Sequence, residues 1–497
     1  MLKVPHGGIL PLQSQDETLA DGKNVSTLSQ TWPFGYMFPE LQDDLDDVWP
    51  DTETIVNDLR RLGMEAMRDP GTILPGIPVP AVHTFLGQFI DHDITLERGS
   101  AYISLEKPTP LSRDQIKKQI VNSRSPNLDL DNVYGPDLDG QLCPRNPDNP
   151  NKMKIDKVRP KRGLPKGKDE WNDLPRLKDG TAQIGDPRDD ENIITSQLHV
   201  AFLRAHNAIV DRGFRFDEAR KLLIQHYQWI VLDDFLERIT DPNIVKMIRY
   251  RGSRFFDPPA RSFYMPLEFS IAAYRFGHSK VRPSYDRFND KQPDGGLGQL
   301  FQFAGQPLPD DWVISWPSFL DAENPNRFPR RIDTSLSSPL LSLEKKQLVG
   351  QDPTEGNLAV RNLIRGYILR MPTGQAVAKA MARQGIFPMT DKQILSVANE
   401  IPISIDQTQA DFLLNETKTD FLNNTPLWFY ILAEAAFYNR GHHLGPVGST
   451  IVAEVLIGVL RNSTYSILAE PGWIPTLGDT PGKFDVEDLL KLAGVFS

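Results

Sequence analysis

The sequence predicts a mainly α-helical protein, built as one large helical domain with long irregular loops and little β-structure. Two strong helical patterns carry this prediction, because apolar residues recur every three to four positions in 195–212 and 217–239. No stretch alternates apolar and polar residues for long enough to form a large sheet, and no internal repeat is present. The candidate functional residues are spread from residue 88 to residue 375, which favours one domain over separable modules.

The first part of the chain predicts less regular structure than the rest. Residues 1–75 are rich in Pro, Asp and Gly, with one short helical pattern near Thr54–Met67, and we expect an irregular N-terminal arm packed on a main domain of residues 76–497. An apolar helix follows within residues 83–97, after Pro80. Residues 105–190 show little periodicity.

Helical patterns dominate the remainder of the chain, apart from an irregular segment at 280–350. Helices are predicted over Thr195–Arg212, Asp217–Ile239, Pro266–His278, Asn357–Met371, Gly374–Arg383, Asp391–Ile401, Pro426–Arg440 and Ser449–Leu460. Ser449 follows Gly445 and Pro446 and is the predicted N-cap of the last helix.

Composition and charge exclude several classes of function. The 497 residues carry 55 Lys and Arg against 65 Asp and Glu, and the net charge of −10 argues against nucleic-acid binding and against an anionic membrane surface. No apolar run is long enough for a membrane span or a signal peptide. Cys143 is the single cysteine, which excludes an intramolecular disulfide. We expect a cytoplasmic protein, or one exported without a cleavable signal peptide.

Four polar side chains in the apolar helix at 83–97 form the first candidate site. Gln88 and His92 are four residues apart and therefore share one face. Asp91, His92 and Asp93 are consecutive, so they point in three directions at ~100° per residue. Solvated acids at a surface helix end are the alternative interpretation.

An oxygen-rich segment forms the second candidate. Ser125, Asn127, Asp129 and Asp131 occupy alternate positions and offer the hard oxygen ligands that Ca²⁺ prefers. The spacing is not that of an EF-hand, and an Asp-rich turn is the alternative.

Two further candidates lie near helix ends. Arg188, within Gly185–Glu191, could stabilise developing negative charge or form a surface ion pair. His278, which ends Tyr274–His278, could be a metal ligand or a buried core histidine.

Five motifs, in order, resemble those of the animal-type haem peroxidases of the peroxidase–cyclooxygenase superfamily, and particularly their bacterial members. The motifs are Gly87-Gln-x-x-Asp-His-Asp93, Val133-Tyr-Gly135, Gly185-Asp-x-Arg-x-x-Glu191, Leu203-Arg-x-His-Asn207 and Arg275-x-Gly-His278. The resemblance runs from about Pro80 to Leu460 and implies a single helical haem peroxidase domain.

The resemblance implies a haem-dependent peroxidase that reduces H₂O₂ and oxidises small organic donors or (pseudo)halides through a ferryl intermediate. It assigns His92 as the distal acid–base group, Arg188 as the electrophile beside it, and Gln88 as the distal glutamine. His278 matches the proximal ligand of a haem b iron. Arg275 matches the partner of a haem propionate, and Gln375 aligns with the asparagine that fixes the proximal ring in animal members.

The same resemblance implies three further features of the cofactor site. Asp91 and Glu191 match carboxylates that form ester links to haem methyl groups. Asn192 stands where one mammalian member has a methionine that makes a sulfonium link, so we expect no such link. The implied calcium ligands are Asp93, Ser125, Asn127, Asp129 and Asp131, with Asn127 contributing its main-chain carbonyl.

Three alternatives stay open. A fatty-acid dioxygenase of the same superfamily is disfavoured, because Arg275 occupies the position of its radical-forming tyrosine and Tyr274 is expected to point elsewhere. A haem-binding structural protein without turnover would not need both His92 and Arg188. A non-haem metal site at His199 and His206 lacks a completing carboxylate. The sequence identifies neither the reducing substrate nor the oligomeric state.

Overall fold

Helices make up most of the regular structure, which confirms the predicted fold class. The computed structural model describes residues 10–11, 31–42, 48–49, 52–69, 78–99, 108–135, 142–159, 171–343, 356–396, 413 and 417–496. Much of the predicted arm at 1–75 and the predicted helical end at 397–401 lie outside these residues. Within the described part of the chain, no helix combines the length and the apolar composition needed to span a bilayer.

Seventeen α-helices are described. They are α1 (Thr52–Arg61), α2 (Val82–Ile94), α3 (Arg113–Gln119), α4 (Asp131–Tyr134), α5 (Ile193–Asp211), α6 (Phe216–Trp229), α7 (Leu236–Ile239), α8 (Pro242–Arg251), α9 (Gly277–Lys280), α10 (Leu297–Leu300), α11 (Trp316–Leu320), α12 (Leu358–Ile368), α13 (Gly374–Ala380), α14 (Asp391–Ser396), α15 (Leu427–Asn439), α16 (Pro446–Asn462) and α17 (Val486–Leu492).

The described β-structure is confined to short strands. They are β1 (Leu10–Pro11), β2 (Trp32–Gly35), β3 (Glu97–Gly99), β4 (Ile120–Asn122), β5 (Asp156–Lys157), β6 (Asn172–Asp173), β7 (Met265–Pro266), β8 (Ser284–Asp286) and β9 (Asp294–Gly296). Five of them form a sheet in the order β1-β3-β4-β2-β7, with β1–β3 and β2–β7 parallel and the other pairs antiparallel. Two hairpin-like pairs, β5–β6 and β8–β9, complete the set.

The apolar helix at the centre of the sequence is also central in the structure. Helix α2 packs against α4, α5 and α9. Phe89 of α2 stacks on Phe202 of α5, with ring centroids 4.7 Å apart and planes 3° from parallel. Both rings are fully buried, so this contact fixes α2 against the main core.

Two predicted helices differ from those observed. The predicted helix Asp217–Ile239 is α6 and α7 joined by a π-helical turn, Ile230–Phe235. The predicted helix Pro266–His278 is a π turn, Glu268–Ala272, and a 3₁₀ turn, Ala273–Phe276, ahead of α9. The changed winding alters the directions in which the aromatic side chains before His278 point.

Ser449 is not the N-cap of the last long helix. Helix α16 begins earlier, at Pro446, with Gly445 as the N-cap residue. The Ser449 hydroxyl lies inside the helix, donates to the carbonyl of Leu444 and accepts from the amide of Asp241. The prediction missed that Pro446 already suits the first helical position.

A buried glutamate anchors the start of α16 to α15. Glu434 of α15 is fully buried and accepts hydrogen bonds from the amides of Val447 and Gly448, at the start of α16. Burial raises the pKa of Glu434 to about 8. The folded state therefore binds a proton at Glu434 that the unfolded chain releases at a lower pH.

The raised pKa of Glu434 predicts a loss of stability as pH rises. Because a folded pKa above the unfolded value of 4.5 favours the protonated state, this contribution is complete below about pH 4.5 and is lost as pH rises through about 8. Glu434→Gln removes this dependence. The check is the free energy of unfolding of the wild type and the variant between pH 5 and 8, with the exposed Glu53→Gln as control. Parallel pH profiles for wild type and Glu434→Gln would contradict it.

Candidate active site

A cavity of about 1150 Å³, including space open to solvent, lies beside α2. Its lining includes seven of the residues that the sequence analysis singled out: Gln88, Asp91, His92, Arg188, Glu191, Arg275 and His278. Residues far apart in the sequence therefore converge on one site.

His92 is held by a buried carboxylate that the sequence analysis did not identify. Nδ1 of His92 lies 2.7 Å from Oδ1 of Asp189, and the other carboxylate oxygen lies 2.7 Å from Nδ1 of His199. Asn132 of α4 donates to the same carboxylate at 3.1 Å. Because Asp189 accepts the Nδ1 proton of His92, the Nε2 lone pair of His92 stays available for proton transfer.

Arg188 bridges the end of α2 and the 3₁₀ turn Pro187–Asp190. Its guanidinium donates to the carboxylate of Asp186 and to the main-chain carbonyls of His92 and Thr95. Nη1 lies 3.8 Å from Oδ2 of Asp91. Although burial alone would lower it, the neighbouring Asp186 raises the pKa of Arg188, so this residue is a permanent cation beside His92.

Gln88 and Asn192 are linked across the same side of the cavity. Asn192 caps α5 by accepting from the amides of Ile194 and Thr195, and its amide donates to Gln88 Oε1 at 3.3 Å. Nε2 of Gln88 is buried without a hydrogen-bond partner among the described residues. An unpartnered donor in the cavity wall suits a ligand oxygen or water.

The two predicted ester-forming carboxylates both line the cavity. Oδ1 of Asp91 accepts from the hydroxyl of Thr95 at 2.7 Å, and about a third of the Asp91 side chain is accessible. Glu191 follows the 3₁₀ turn that carries Arg188.

The predicted partner of the proximal histidine is wrong. Gln375 donates to the carbonyl of Leu422 and to the hydroxyl of Thr425, and accepts from the amide of Thr425. The residue beside His278 is Asn362 of α12, whose Nδ2 lies 2.9 Å from Nδ1 of His278. This contact with the side-chain amide of Asn362 fixes the orientation of the His278 ring.

Arg275 lies close to the same asparagine. Its Nη1 donates to Oδ1 of Asn362 at 2.8 Å, and its Nε donates to the carbonyl of Ser270. Burial and the neighbouring Arg365 lower the pKa of Arg275 to about 9. The guanidiniums of Arg275 and Arg365 are adjacent, and that of Arg365 is paired with Glu97. Together they fit an anionic group such as a propionate.

Tyr274 does not point away from the site, as the sequence analysis expected. It lines the cavity, and its buried hydroxyl has no hydrogen-bond partner among the described residues. This hydroxyl lies 4.0 Å from the position that a Cβ on Gly87 would occupy. The expectation assumed a regular α-helix, whereas Tyr274 lies in the 3₁₀ turn.

The five predicted calcium ligands lie near one another, and each is bonded to other protein groups. Asp93 accepts from the amides of Leu130 and Asp131, and Ser125 donates to the carboxylate of Asp131. The other two predicted ligands have different partners: Asp129 accepts from Thr464, and Asn127 lies against Asn462. No group of three or more His, Cys, Asp or Glu side chains suited to a metal ion occurs in the described part of the chain.

The carboxylate of Asp93 serves as an acceptor for the loop before α4. Asp93 already satisfies two backbone amides, and Leu130 adopts φ of 57° to direct its amide to this carboxylate. Burial, with Asp131 and Asp129 nearby, raises the pKa of Asp93 well above its usual range. A proton can thus neutralise this carboxylate in place of a cation.

The non-haem alternative has no supporting geometry. His199 is bonded to Asp189, whereas His206 lies between the Tyr134 hydroxyl at 2.9 Å and the carbonyl of Asn151 at 3.0 Å. Burial lowers the pKa of His206 to about 4, as expected for a neutral framework histidine.

The cavity fits a haem group. Two imidazoles from different elements, His92 of α2 and His278 of α9, line it, and only His278 has an amide rather than a carboxylate on Nδ1. The buried, unpartnered atoms of Gln88 and Tyr274 indicate that the wall is arranged for a polar ligand.

Solved structures of similar fold include two kinds of enzyme. Peroxidase A from Dictyostelium discoideum superimposes with a TM-score of 0.59 over 95% of this chain and 96% of its own, at 16% identity. The fatty acid α-dioxygenases of Arabidopsis thaliana and Oryza sativa both give 0.57 at 15% identity, covering 88% and 94% of this chain and 73% and 82% of their own. The chain therefore shares the fold of these enzymes.

Sequence comparison narrows this assignment. Residues 77–304 match the family model of the animal haem peroxidases, and this match confirms the family resemblance recognised from the motifs. A peroxidase-like protein of Margaritifera margaritifera is 31% identical over 128 residues, 23% of this chain. Chorion peroxidase of Aedes aegypti is 25% identical over 158 residues, 25% of this chain. The aligned stretches span only 16% and 20% of those relatives.

The role of Asp93 as a backbone acceptor predicts which perturbation destabilises the loop before α4. Asp93→Ala leaves two buried amides without an acceptor, at a cost of ~1–3 kcal/mol each, and lowers the melting temperature. Exhaustive chelation of the wild type leaves that temperature unchanged. Thermal unfolding with a chelator and with added Ca²⁺, together with elemental analysis, checks both. A melting temperature that rises with Ca²⁺ would show that these residues bind the ion.

Proposed function

We propose that the protein is a haem-dependent peroxidase that reduces H₂O₂ and oxidises small organic donors or (pseudo)halides. The observation that carries this proposal is the pairing of His92 with Asp189, which leaves Nε2 of a buried imidazole available in the cavity, beside the permanent charge of Arg188. A haem-binding structural protein would have no use for this arrangement. The family match over residues 77–304 supports the same class.

Haem is held by this chain's own side chains in the proposal. His278 would ligate the iron, with Asn362 orienting its ring, and Arg275 would pair with a propionate. When bound, the haem iron supplies the electrons that reduce peroxide and passes the oxidising equivalents on to donors.

His92 provides acid–base chemistry in this proposal. Its Nε2 accepts a proton from H₂O₂ and returns it to the oxygen that departs as water, so no net proton stays on the ring. Asp189 stabilises the imidazolium while His92 carries that proton, because it accepts the Nδ1 proton throughout.

Arg188 and Gln88 assist without exchanging protons. The Arg188 guanidinium stabilises the negative charge that develops as the oxygen–oxygen bond separates. The buried amide of Gln88 would donate to an oxygen of the incoming peroxide, since its Nε2 has no other partner among the described residues.

A second candidate function is fatty-acid dioxygenation. The observation that favours it is Tyr274, whose unpartnered hydroxyl lines the cavity, although Arg275 occupies the position of the radical-forming tyrosine in that branch. The two α-dioxygenases of similar fold are compatible with either function. Oxygen uptake with a long-chain fatty acid, in the absence of donor, would favour this candidate over the peroxidase.

The peroxidase proposal predicts the effect of removing the acid–base group. His92→Ala in the haem-loaded protein loses about 10²- to 10⁴-fold in the rate of reaction with H₂O₂. The rate is measured from the Soret absorbance after rapid mixing, with guaiacol and bromide tested as donors in the steady state. Peroxide reactivity equal to that of the wild type would exclude His92 from the reaction.

The carboxylate that holds His92 is predicted to affect the same step. Asp189→Asn cannot accept from both His92 and His199, so one ring must change its tautomer, and the peroxide rate falls by between about 10- and 10⁴-fold. The exposed Asp179→Asn is the control. A normal rate in Asp189→Asn, with haem content unchanged, would show that Asp189 serves packing alone.

Covalent attachment of haem through Asp91 and Glu191 is part of the proposal, supported by the presence of both carboxylates in the cavity wall. After turnover with H₂O₂, we expect acid–acetone to leave haem on the wild type and to extract more of it from Asp91→Asn and Glu191→Gln. Intact mass spectrometry measures the attached fraction. Complete extraction from the wild type would rule out the ester links.

A further inference from the structure

A lysine in the cavity wall has no counter-charge among the described residues. Lys280, the last residue of α9, is 2% exposed and lines the cavity. Its ammonium makes no ion pair or hydrogen bond with any described residue, whereas its carbonyl accepts from the amide of Arg330. Burying a cation without a partner costs free energy of desolvation. An anionic ligand bound to Lys280 would offset this cost.

The other cations of the cavity are already engaged. Arg188 is paired with Asp186, and Arg365 is paired with Glu97. Arg275 donates to Asn362 and Ser270. Lys280 therefore differs from the remaining cationic groups, and the carboxylates that line the cavity do not pair with it.

Lys280 is followed along the chain by a segment that packs beside the start of α2. The chain that leaves α9 runs to Tyr285, whose ring lies 5.5 Å from that of Phe85. Thr84 is two turns before His92, a rise of ~12 Å along the helix. Arg275 and Arg365, by contrast, neighbour Glu97, beyond the other end of α2. The two arginines thus lie near the C-terminal end of α2, whereas the segment after Lys280 packs near its N-terminal end.

The walls around this end are mostly apolar. Phe235 approaches α2 closely, because a Cβ on Gly87 would lie 3.0 Å from its ring. Ile239 and Val281 also line the cavity, and the hydroxyl of Thr84 is buried there without a partner among the described residues. One ammonium and one hydroxyl in an apolar surround suit a molecule with an apolar body and a single anionic group.

We propose that Lys280 binds the carboxylate of an amphiphilic organic acid, with Thr84 as a second donor, and that such acids are the preferred substrates of this cavity. This inference rests on the proposed function, since it names the substrate class of the same site. Aromatic acids and fatty acids share the required carboxylate, and the test separates them.

The first arm measures turnover by the haem-loaded protein with H₂O₂. The donors are 3-(4-hydroxyphenyl)propionate and its methyl ester, which differ only in the charge at the carboxyl group. In Lys280→Met the ratio of kcat/KM for the acid to that for the ester falls about tenfold or more, since one charge-assisted contact is lost. Lys280→Arg restores most of the ratio, and the exposed Lys379→Met keeps it.

The second arm measures equilibrium binding without peroxide. Soret difference titrations of the haem-loaded protein with the same aromatic acid and with decanoate identify which acid the wild type binds, and Lys280→Met binds that acid at least about tenfold more weakly. If the wild type binds an acid through Lys280 but oxidises no donor, the substrate site stands and the peroxidase proposal fails.

Three results would overturn the inference. Equal losses of kcat/KM for the acid and for the ester in Lys280→Met would show that Lys280 does not recognise the carboxylate charge of the donor. Binding of neither acid by the wild type would leave Lys280 without the proposed ligand. A shifted Soret band or reduced haem content in Lys280→Met, before any acid is added, would assign the lysine to the cofactor instead.

Discussion

The carboxylate of Asp189 is the contact on which the arrangement of the site depends. It accepts from His92 of α2, His199 of α5 and Asn132 of α4, and all four side chains are buried. A carboxylate removed from water is stable only when its oxygens are paired, so the three donors are fixed as a set. The position of α2 over the cavity and the proton position on His92 are thereby set by the same group.

A second part of the cavity wall is organised by an amide rather than a carboxylate. Asn362 lies between His278 and Arg275, and the indole nitrogen of Trp428 donates to the carbonyl of Arg275. An amide adds no charge to the imidazole, whereas Asp189 places a negative charge beside His92. The two histidines that line the cavity therefore differ electronically, which suits one to proton transfer and the other to ligation.

The sequence predicted the class of fold and most of the residues that line the cavity. It did not predict which residues hydrogen-bond to them. Periodicity identified α5 and α6, and the motifs identified His92, Arg188, Arg275 and His278. Asp189 lies inside a quoted motif, one residue after Arg188, yet nothing in its spacing distinguishes it from Asp190, which pairs with Arg176. Only the packing of α4 and α5 against α2 shows which of these acids faces His92.

The two errors at the cavity have physical causes of the same kind. The order of the motifs predicts Gln375 as the partner of His278, although Asn362 occupies a buried face of α12 directly beside this histidine. The predicted direction of the Tyr274 side chain assumes a regular α-helix. A π turn followed by a 3₁₀ turn changes this direction. Local winding and pairing across distant helices depend on tertiary packing, which a periodic pattern does not encode.

The central claim is that this cavity reduces peroxide and passes the oxidising equivalents to a donor. The most direct measurement mixes the haem-loaded wild type with one equivalent of H₂O₂, records the Soret spectrum, and then titrates a phenolic donor into the oxidised protein. The account predicts that peroxide changes the spectrum rapidly and that about two equivalents of a one-electron donor restore the resting spectrum. A spectrum that peroxide leaves unchanged, or one that recovers without any donor being oxidised, would contradict it.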